Sequence, residues 1–283
     1  MSDQIVSKFV NTSTFKLHYN EFGAGHPVIM LHGSGPGATG WSNFGANVPY
    51  LHDKYRVLLV DFPGWGLSDP FLPAEESRFD ANARCVLEFM DQLSIDNAAL
   101  VGNSMGGVAA QMVTAMAPER VSHMVTMGAP SPGGPPHFYS PAGLTEGLKV
   151  VFACYSEPSL ENFRRMVEIM VFDPKFATDE LLQQRRDAAV AHDEHLRNFI
   201  ATVASMHIDA VGSDSLVRKL SQSRVPSLII HGRDDRVVGV EHSLRTAALV
   251  PNALLAVFNQ CGHWAQVEKA AQFNALLNGF IQA

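Results

Sequence analysis

Short hydrophobic runs recur along the chain and alternate with longer stretches of mixed polarity. Such runs, when closed by glycine or proline, are typical of strands, and here they predict strands at residues 15–19, 28–32, 56–61, 98–102, 122–127, 227–231 and 253–258. Between two of these runs, Val86, Met90 and Leu93 lie on one face of a predicted helix at residues 80–93. Strands that alternate with helices predict an α/β fold, with a mostly parallel central sheet flanked by helices.

The alternation stops between about His137 and Ile208, where only helical patterns occur. These patterns lie around residues 148–152, 160–172, 180–190 and 194–203, after a loop rich in proline and glycine at residues 129–136. We therefore expect a core domain at residues 1–137 and 208–283, with residues 138–207 forming a helical lid on the sheet.

Composition excludes several classes of protein. With 46% hydrophobic and 17% charged residues, the chain of 283 residues can form a sizeable core. A net charge of −7 argues against a nucleic-acid-binding face but permits a local basic pocket for an anion. Three widely spaced cysteines disfavour disulfides and zinc, which indicates a reducing compartment. No signal peptide and no apolar run of about 20 residues is present, so we expect a cytoplasmic protein without membrane contact.

The segment Gly-Asn-Ser-Met-Gly-Gly at residues 102–107 follows a predicted strand and opens a predicted helix. This is the context that the G-x-S-x-G nucleophile motif requires. A sharp turn would expose Ser104 Oγ above the sheet, while the glycines avoid clashes with the neighbouring strand and helix. The start of the following helix would place the Met105 N–H beside a developing oxyanion. Ser104 is therefore predicted to be a catalytic nucleophile rather than an incidental serine in a turn.

A serine nucleophile needs a general base, and His263 follows the last predicted strand, as the chain order Ser, Asp, His requires. The acid should follow the strand at residues 227–231, where Asp234 and Asp235 are adjacent. The spacing G-x-x-D-x-x-V selects Asp235 and leaves Asp234 to stabilise the loop or to pair with a neighbouring arginine. Histidines in polar helical stretches are expected to be solvated, namely His192, His195 and His242.

A glycine-rich loop at residues 33–41 follows the strand at residues 28–32. In α/β hydrolases the equivalent loop supplies the second N–H of the oxyanion hole, which here would be that of Ser34, together with Met105. Glycines let this backbone approach a substrate oxygen closely. His32 is expected to help hold the loop in place.

Five segments together resemble the meta-cleavage product hydrolases, at residues 31–41, 61–69, 102–107, 232–236 and 261–266. Members of this family have the α/β-hydrolase fold and cleave a carbon–carbon bond in dienoates made by ring-opening dioxygenases. The resemblance runs from about Phe15 to the C-terminus. Within the family, the sequence most resembles the biphenyl- and phenylpropionate-pathway hydrolases. It implies a helical lid, no metal and no organic cofactor, and a dimer or larger homo-oligomer.

The resemblance also implies roles for individual residues. The triad corresponds to Ser104, Asp235 and His263, and the dienoate-contacting residues correspond to Gly35, Asn103, Met170, Phe172 and Trp264. Arg185 matches a lid arginine that binds the substrate carboxylate, with Arg186 as an adjacent competitor. Met170 occupies a position that is aromatic in the biphenyl-pathway enzymes, and Phe172 would compensate for it.

The implied reaction is hydrolysis of a 2-hydroxy-6-oxo-hexa-2,4-dienoate to 2-hydroxypenta-2,4-dienoate and a carboxylic acid. After ketonisation of the substrate, Ser104 would attack the 6-oxo carbon; a gem-diol route without a covalent intermediate stays open. A carboxylesterase or perhydrolase, and a non-catalytic receptor on the same fold, are the alternatives. The group on C6 also stays open, although aliphatic residues expected near it favour an apolar group: Leu148, Val151, Val237 and Val238.

Overall fold

Eight strands form one sheet, whose order across the sheet is β1-β2-β4-β3-β5-β6-β7-β8. The computed structural model describes residues 6–72, 76–133, 144–204 and 213–283. The strands are β1 (Ser7–Asn11), β2 (Lys16–Phe22), β3 (His26–Leu31), β4 (Tyr55–Val60), β5 (Ala98–Asn103), β6 (Val121–Met127), β7 (Ser227–Gly232) and β8 (Ala253–Phe258). The β1–β2 and β2–β4 pairs are antiparallel, and the remaining pairs are parallel. The prediction of a mostly parallel α/β sheet is confirmed.

Helices cover both faces of this sheet. In chain order they are α1 (Gly40–Phe44), α2 (Val48–Leu51), α3 (Arg78–Gln92), α4 (Met105–Met116), α5 (Glu146–Ser156), α6 (Leu160–Met170), α7 (Asp179–Val190), α8 (Asp193–Ala204), α9 (Asp214–Gln222), α10 (Val240–Leu249), α11 (Ala265–Glu268) and α12 (Ala270–Ile281). Strand β5 is buried along its whole length because helices pack on both sides of it. None of the helices in the described ranges is long and apolar enough to cross a membrane.

Five helices of the described ranges lie between β6 and β7, and four of them, α5 to α8, occupy the segment where the sequence predicted only helical patterns. We call residues 144–204 the cap. Its α6 has a strongly amphipathic sequence and buries Phe163, Met166 and Val167. Threonine and serine side chains cap the N-termini of α5, α6 and α7. The predicted boundaries of the lid, at residues 138 and 207, lie outside the described residues.

Candidate active site

Ser104 lies in the tight turn between β5 and α4, with φ 53° and ψ −117°. A positive φ is uncommon for a residue with a side chain, and surrounding contacts must hold it. The Ser104 N–H donates to the Met127 carbonyl at 2.8 Å. A Cβ on Gly102 would lie 2.2 Å from the Gly106 oxygen, and one on Gly106 would lie 2.0 Å from the Leu31 oxygen. Glycine at both positions therefore lets the turn pack tightly enough to project Ser104.

His263 and Asp235 form a buried pair beside this turn. His263 Nδ1 lies 2.7 Å from Asp235 Oδ2, and their side chains are 2% and 0% exposed. Asp235 Oδ1 accepts the backbone N–H groups of Val237 at 2.7 Å and Val238 at 3.0 Å. Gly128, at the end of β6, makes room for the pair, since a Cβ there would lie 2.9 Å from His263 Nδ1. Sequence reasoning missed Gly128.

Two histidines keep the Asp235 carboxyl ionised. Burial alone would raise the pKa of Asp235, but the adjacent His263 ring and His231, whose Nε2 lies 3.4 Å from Oδ2, hold that pKa well below its usual range. The ionised carboxylate accepts a hydrogen bond from the Nδ1–H of His263, which leaves Nε2 of the ring free to act as a base.

The neighbouring aspartate has a different position. Asp234 accepts from Arg233 Nη2 at 3.2 Å and from the Cys261 N–H at 3.3 Å. The structure thus gives Asp234 the loop-stabilising contacts expected of it, and brings Asp235 rather than Asp234 to His263.

One cavity brings most of the predicted site residues together. It is lined by Gly33, Ser34, Gly35, Ala38, Asn43, Asn103, Ser104, Leu148, Val151, Met170, Arg185, Val237, His263 and Trp264. Within the described chain no hydrogen bond joins Ser104 Oγ to His263. In enzymes without bound substrate, catalytic hydrogen bonds are often long or poorly aligned. Asn103 donates to the Met127 and His263 carbonyls, whereas its buried Oδ1 has no partner in the described ranges.

Arg185 brings a buried positive charge into the cavity. Its residue is 3% exposed, and its guanidinium lies 4.9 Å from the centre of the Trp264 ring. Nη2 donates to the Pro36 carbonyl at 3.3 Å, and Nε has no partner among the described residues. Burial lowers the pKa of Arg185 to about 10, so the group is still charged at neutral pH. The cavity therefore contains a cation that no carboxylate of the described chain neutralises.

Arg186, the adjacent competitor, points elsewhere. Its side chain is 37% exposed, and its Nε donates to the Pro158 carbonyl at 3.2 Å. Successive helix residues lie about 100° apart, so only one of the two arginines can face the cavity. The structure places Arg185 there.

Phe172 does not line the cavity, so the structure does not bring it together with the other predicted substrate contacts. Helix α6 ends at Met170, and Val171 has extended backbone with φ −118° and ψ 156°. This change of direction turns Phe172 outward, where it is 44% exposed. Met170 itself remains in the lining.

His195 also differs from the prediction, because it is 5% exposed rather than solvated. Its ring lies 4.3 Å from that of Trp65, and neither ring nitrogen has a hydrogen-bond partner among the described residues. Burial lowers the pKa of His195 to about 3. The polar residues around it in sequence lie on the outer face of α8, which concealed its inward direction.

The cap is joined to the loop that carries His263. The Met170 carbonyl accepts the N–H groups of His263 at 2.7 Å and Trp264 at 3.3 Å. The Glu268 carboxylate accepts from Gly262 at 2.6 Å and from Phe172 at 2.8 Å. Glu268 was not singled out from the sequence, since no motif marks a carboxylate that binds backbone. These bonds hold the end of α6 against the histidine loop.

Two backbone donors lie close to Ser104: Ser34 lines the same cavity, and Met105 is the next residue in the chain. The N–H groups of Ser34 and Met105 make no hydrogen bond to other residues in the described part of the chain. Met105 is the first residue of α4, where the helix dipole is positive. This arrangement suits stabilisation of an oxyanion.

Comparison with known proteins places the chain in a family. A model of the alpha/beta hydrolase family matches residues 28–276. A 2-hydroxy-6-oxononadienedioate/2-hydroxy-6-oxononatrienedioate hydrolase of Cupriavidus pinatubonensis is 43% identical over 97% of this chain and 95% of its own. A 2-hydroxy-6-oxo-6-phenylhexa-2,4-dienoate hydrolase of Burkholderia cepacia is 42% identical over 99% of this chain and 98% of its own.

A solved structure agrees with these relatives. The meta-cleavage product hydrolase from Pseudomonas fluorescens IP01, complexed with acetates, superimposes with a TM-score of 0.87, at 34% identity and over 98% of each chain. The chain therefore belongs to the alpha/beta hydrolase family and, within it, to the meta-cleavage product hydrolases.

Proposed function

We propose that this protein hydrolyses the C5–C6 bond of 2-hydroxy-6-oxo-hexa-2,4-dienoates, with Ser104, His263 and Asp235 as its triad. The observation that carries the proposal is Arg185, a buried cation in the same cavity as Ser104. A charge buried without a partner is costly, and its position is useful when the substrate supplies the partner. Dienoates carry a carboxylate at C1, whereas simple aryl esters lack one.

Four other residues of the lining are assigned to contacts with the same substrate. Trp264 lies against the Arg185 guanidinium and presents an aromatic surface to the dienoate. The Oδ1 of Asn103, which has no partner among the described residues, accepts a hydrogen bond from the 2-hydroxyl group of the substrate before ketonisation. Gly35 leaves room for the carboxylate, because a Cβ there would lie 3.2 Å from Arg185 Nη2. Met170 packs on the chain of the substrate.

The reaction then follows from these positions. The substrate first ketonises, with the 2-hydroxyl proton transferred to C5, and Arg185 binds its carboxylate; the C2 carbonyl of this keto tautomer is then an electron sink. His263 Nε2 takes the proton of Ser104 as Oγ attacks C6, and the N–H groups of Ser34 and Met105 stabilise the oxyanion. Collapse of this intermediate breaks the C5–C6 bond, the electron pair passes to the C2 oxygen, and the proton held by His263 is transferred to that oxygen to give 2-hydroxypenta-2,4-dienoate. Water, activated by His263, then hydrolyses the acyl-enzyme to a carboxylic acid.

The group on C6 is proposed to be apolar. The named substrates of the two relatives differ there: a nonadienedioate has a second carboxylate, and a 6-phenyl dienoate does not. A second carboxylate needs a second cation, and Arg185 is the one lysine or arginine in the lining. Residues 1–5, 73–75, 134–143 and 205–212 contain no lysine or arginine, so the undescribed parts of the chain add none.

A panel of ring-fission products that differ only at C6 tests both statements. Loss of dienoate absorbance, with identification of both products, should show turnover of the 6-phenyl and 6-alkyl compounds. The nonadienedioate should have a clearly lower kcat/KM. A preference for the nonadienedioate would refute the apolar C6 group alone, whereas hydrolysis of aryl esters without any dienoate cleavage would refute the proposed reaction.

We also propose a cytoplasmic homo-oligomer. Cys85, Cys154 and Cys261 are free and buried, which suits a reducing compartment. Strand β8 is an edge of the sheet and exposes three apolar residues, Leu254, Leu255 and Val257. An apolar edge strand is suited to pairing with a second copy of the chain. Light scattering after size-exclusion chromatography should give the molar mass of a dimer or a larger oligomer, and Val257→Lys should lower that molar mass.

A further inference from the structure

The loop that carries the Ser34 donor is held by an unusual series of side-chain hydrogen bonds. The four consecutive carbonyl oxygens of residues 33–36 each accept one such bond, at 2.5–3.3 Å, in order from His32 Nδ1, Tyr155 Oη, Trp65 Nε1 and Arg185 Nη2. His32 and Trp65 belong to the core, whereas Tyr155 and Arg185 belong to the cap. The cap thus holds half of these carbonyls.

These bonds matter because the loop has little stiffness of its own. Glycines occupy positions 33, 35 and 37, and glycine backbone rotates more freely than that of any other residue. A peptide unit is planar, so a bond to a carbonyl also fixes the direction of the N–H of the following residue, which shares that unit. The carbonyls on either side of Ser34 are those of Gly33, held by His32, and of Ser34 itself, held by Tyr155. Together these two bonds fix the backbone angles of Ser34.

Tyr155 is itself rigidly placed and does not line the cavity. The residue is 2% exposed, and its ring stacks on Phe199 with centroids 4.2 Å apart and planes 16° apart. Burial raises the pKa of its hydroxyl, which therefore stays protonated at neutral pH and donates to the Ser34 carbonyl. Its effect on the reaction must act through Ser34.

We infer that Tyr155 is a positioning residue for the oxyanion hole: while His32 holds the Gly33 carbonyl, the bond from Tyr155 to the Ser34 carbonyl fixes the backbone angles of Ser34, so that the seated cap keeps the Ser34 N–H in place. This rests on the proposed function only for the role of Ser34 and Ser104. Since an oxyanion forms in ester and dienoate hydrolysis alike, Tyr155 serves both reactions. Removing one oxyanion donor outright costs about 10²–10³ in kcat, so loosening one should cost about 10- to 100-fold.

The test compares Tyr155→Phe with Tyr55→Phe. Tyr55 also buries its ring and donates its hydroxyl to Asn278, but it lies at the start of β4, away from the site. We expect Tyr155→Phe to lower kcat about 10- to 100-fold on a 6-phenyl dienoate and on a p-nitrophenyl ester, with KM nearly unchanged. Affinity for an aryl boronic acid, which forms a tetrahedral adduct with serine, should fall by a similar factor. Tyr55→Phe should leave these three quantities unchanged.

Several results would overturn the inference. Unchanged kcat with a lowered melting temperature would make Tyr155 a structural residue, and a raised KM with unchanged kcat would make it a substrate contact. If Tyr155→Phe does not fold, 4-aminophenylalanine and 4-fluorophenylalanine at position 155 fill the same space, and only the first can donate. Equal activity of that pair would refute the inference, while activity only with the donor supports it. Failure of the proposed function looks different, because the wild-type protein would then not cleave the dienoate.

Discussion

Replacing Arg185 with glutamine separates a carbon–carbon hydrolase from an ordinary esterase. The substitution removes the buried cation from the cavity and keeps a shorter, uncharged polar side chain. A charge-assisted hydrogen bond contributes about 1.5–3 kcal/mol. Since 1.36 kcal/mol corresponds to a factor of ten, Arg185→Gln should lower kcat/KM for a dienoate about tenfold to over a hundredfold.

The same variant should not weaken the folded protein. Arg185 is 3% exposed and has no carboxylate partner in the described chain, so the free enzyme bears the cost of burying its charge. The free energy of unfolding of Arg185→Gln should therefore equal or exceed that of the wild type. A large loss of stability would instead mean that this charge is satisfied in the free enzyme.

The assay measures dienoate cleavage and p-nitrophenyl ester hydrolysis on the same preparations. The ester has no carboxylate, so its hydrolysis should fall only a few-fold, through the lost bond to the Pro36 carbonyl. Arg186→Gln is the matched control, because it changes the same residue type one position along α7, outside the cavity lining. Equal losses on both substrates, or a selective loss in Arg186→Gln, would refute the assignment of Arg185.

Three further predictions concern the triad and pH. Ser104→Ala should lower kcat by several orders of magnitude while a dienoate still binds, as measured by spectral titration. Asp235→Asn should lower kcat about 10⁴-fold by permitting the wrong histidine tautomer, whereas Asp234→Asn should have a mild effect; the reverse ranking would contradict the pair seen here. The unfolded chain protonates His195 below its ordinary pKa of 6.5, and the folded protein does so only near 3, so stability is lost as pH falls through this window. At pH 5 the loss should be about 2 kcal/mol, and urea unfolding of His195→Leu should show a smaller decline between pH 7 and pH 5.

The sequence predicted those elements that are buried in the core. Strands such as β5 are continuous apolar runs, because helices cover both of their faces. Strand β1 was missed, since its residues are mostly exposed and only pairing with β2 makes it a strand. Residues in motifs with fixed spacing, such as Ser104 and Asp235, could also be predicted, because a backbone turn determines their position.

Side-chain directions in the cap could not be predicted with the same success. Phe172 faces outward because α6 ends two residues earlier, and His195 faces inward despite its charged neighbours. Tyr155 and Glu268 carry no sequence signal, since each binds backbone groups that are distant along the chain. Their partners become visible only when the loops that join the sheet and the cap are placed in three dimensions.

The bonds that cross between cap and core have a consequence for engineering. Exchanging the cap for that of a relative is an obvious way to build a chimera with altered substrate range. Here such a graft would also replace Tyr155, and it would break the bonds that Glu268 makes to residues 172 and 173. A chimera that receives only the cap of a relative should therefore fold but have a low kcat. A productive chimera should carry over residues 33–37 and 262–268 together with the cap, so that the grafted cap keeps the backbone segments to which it is bonded.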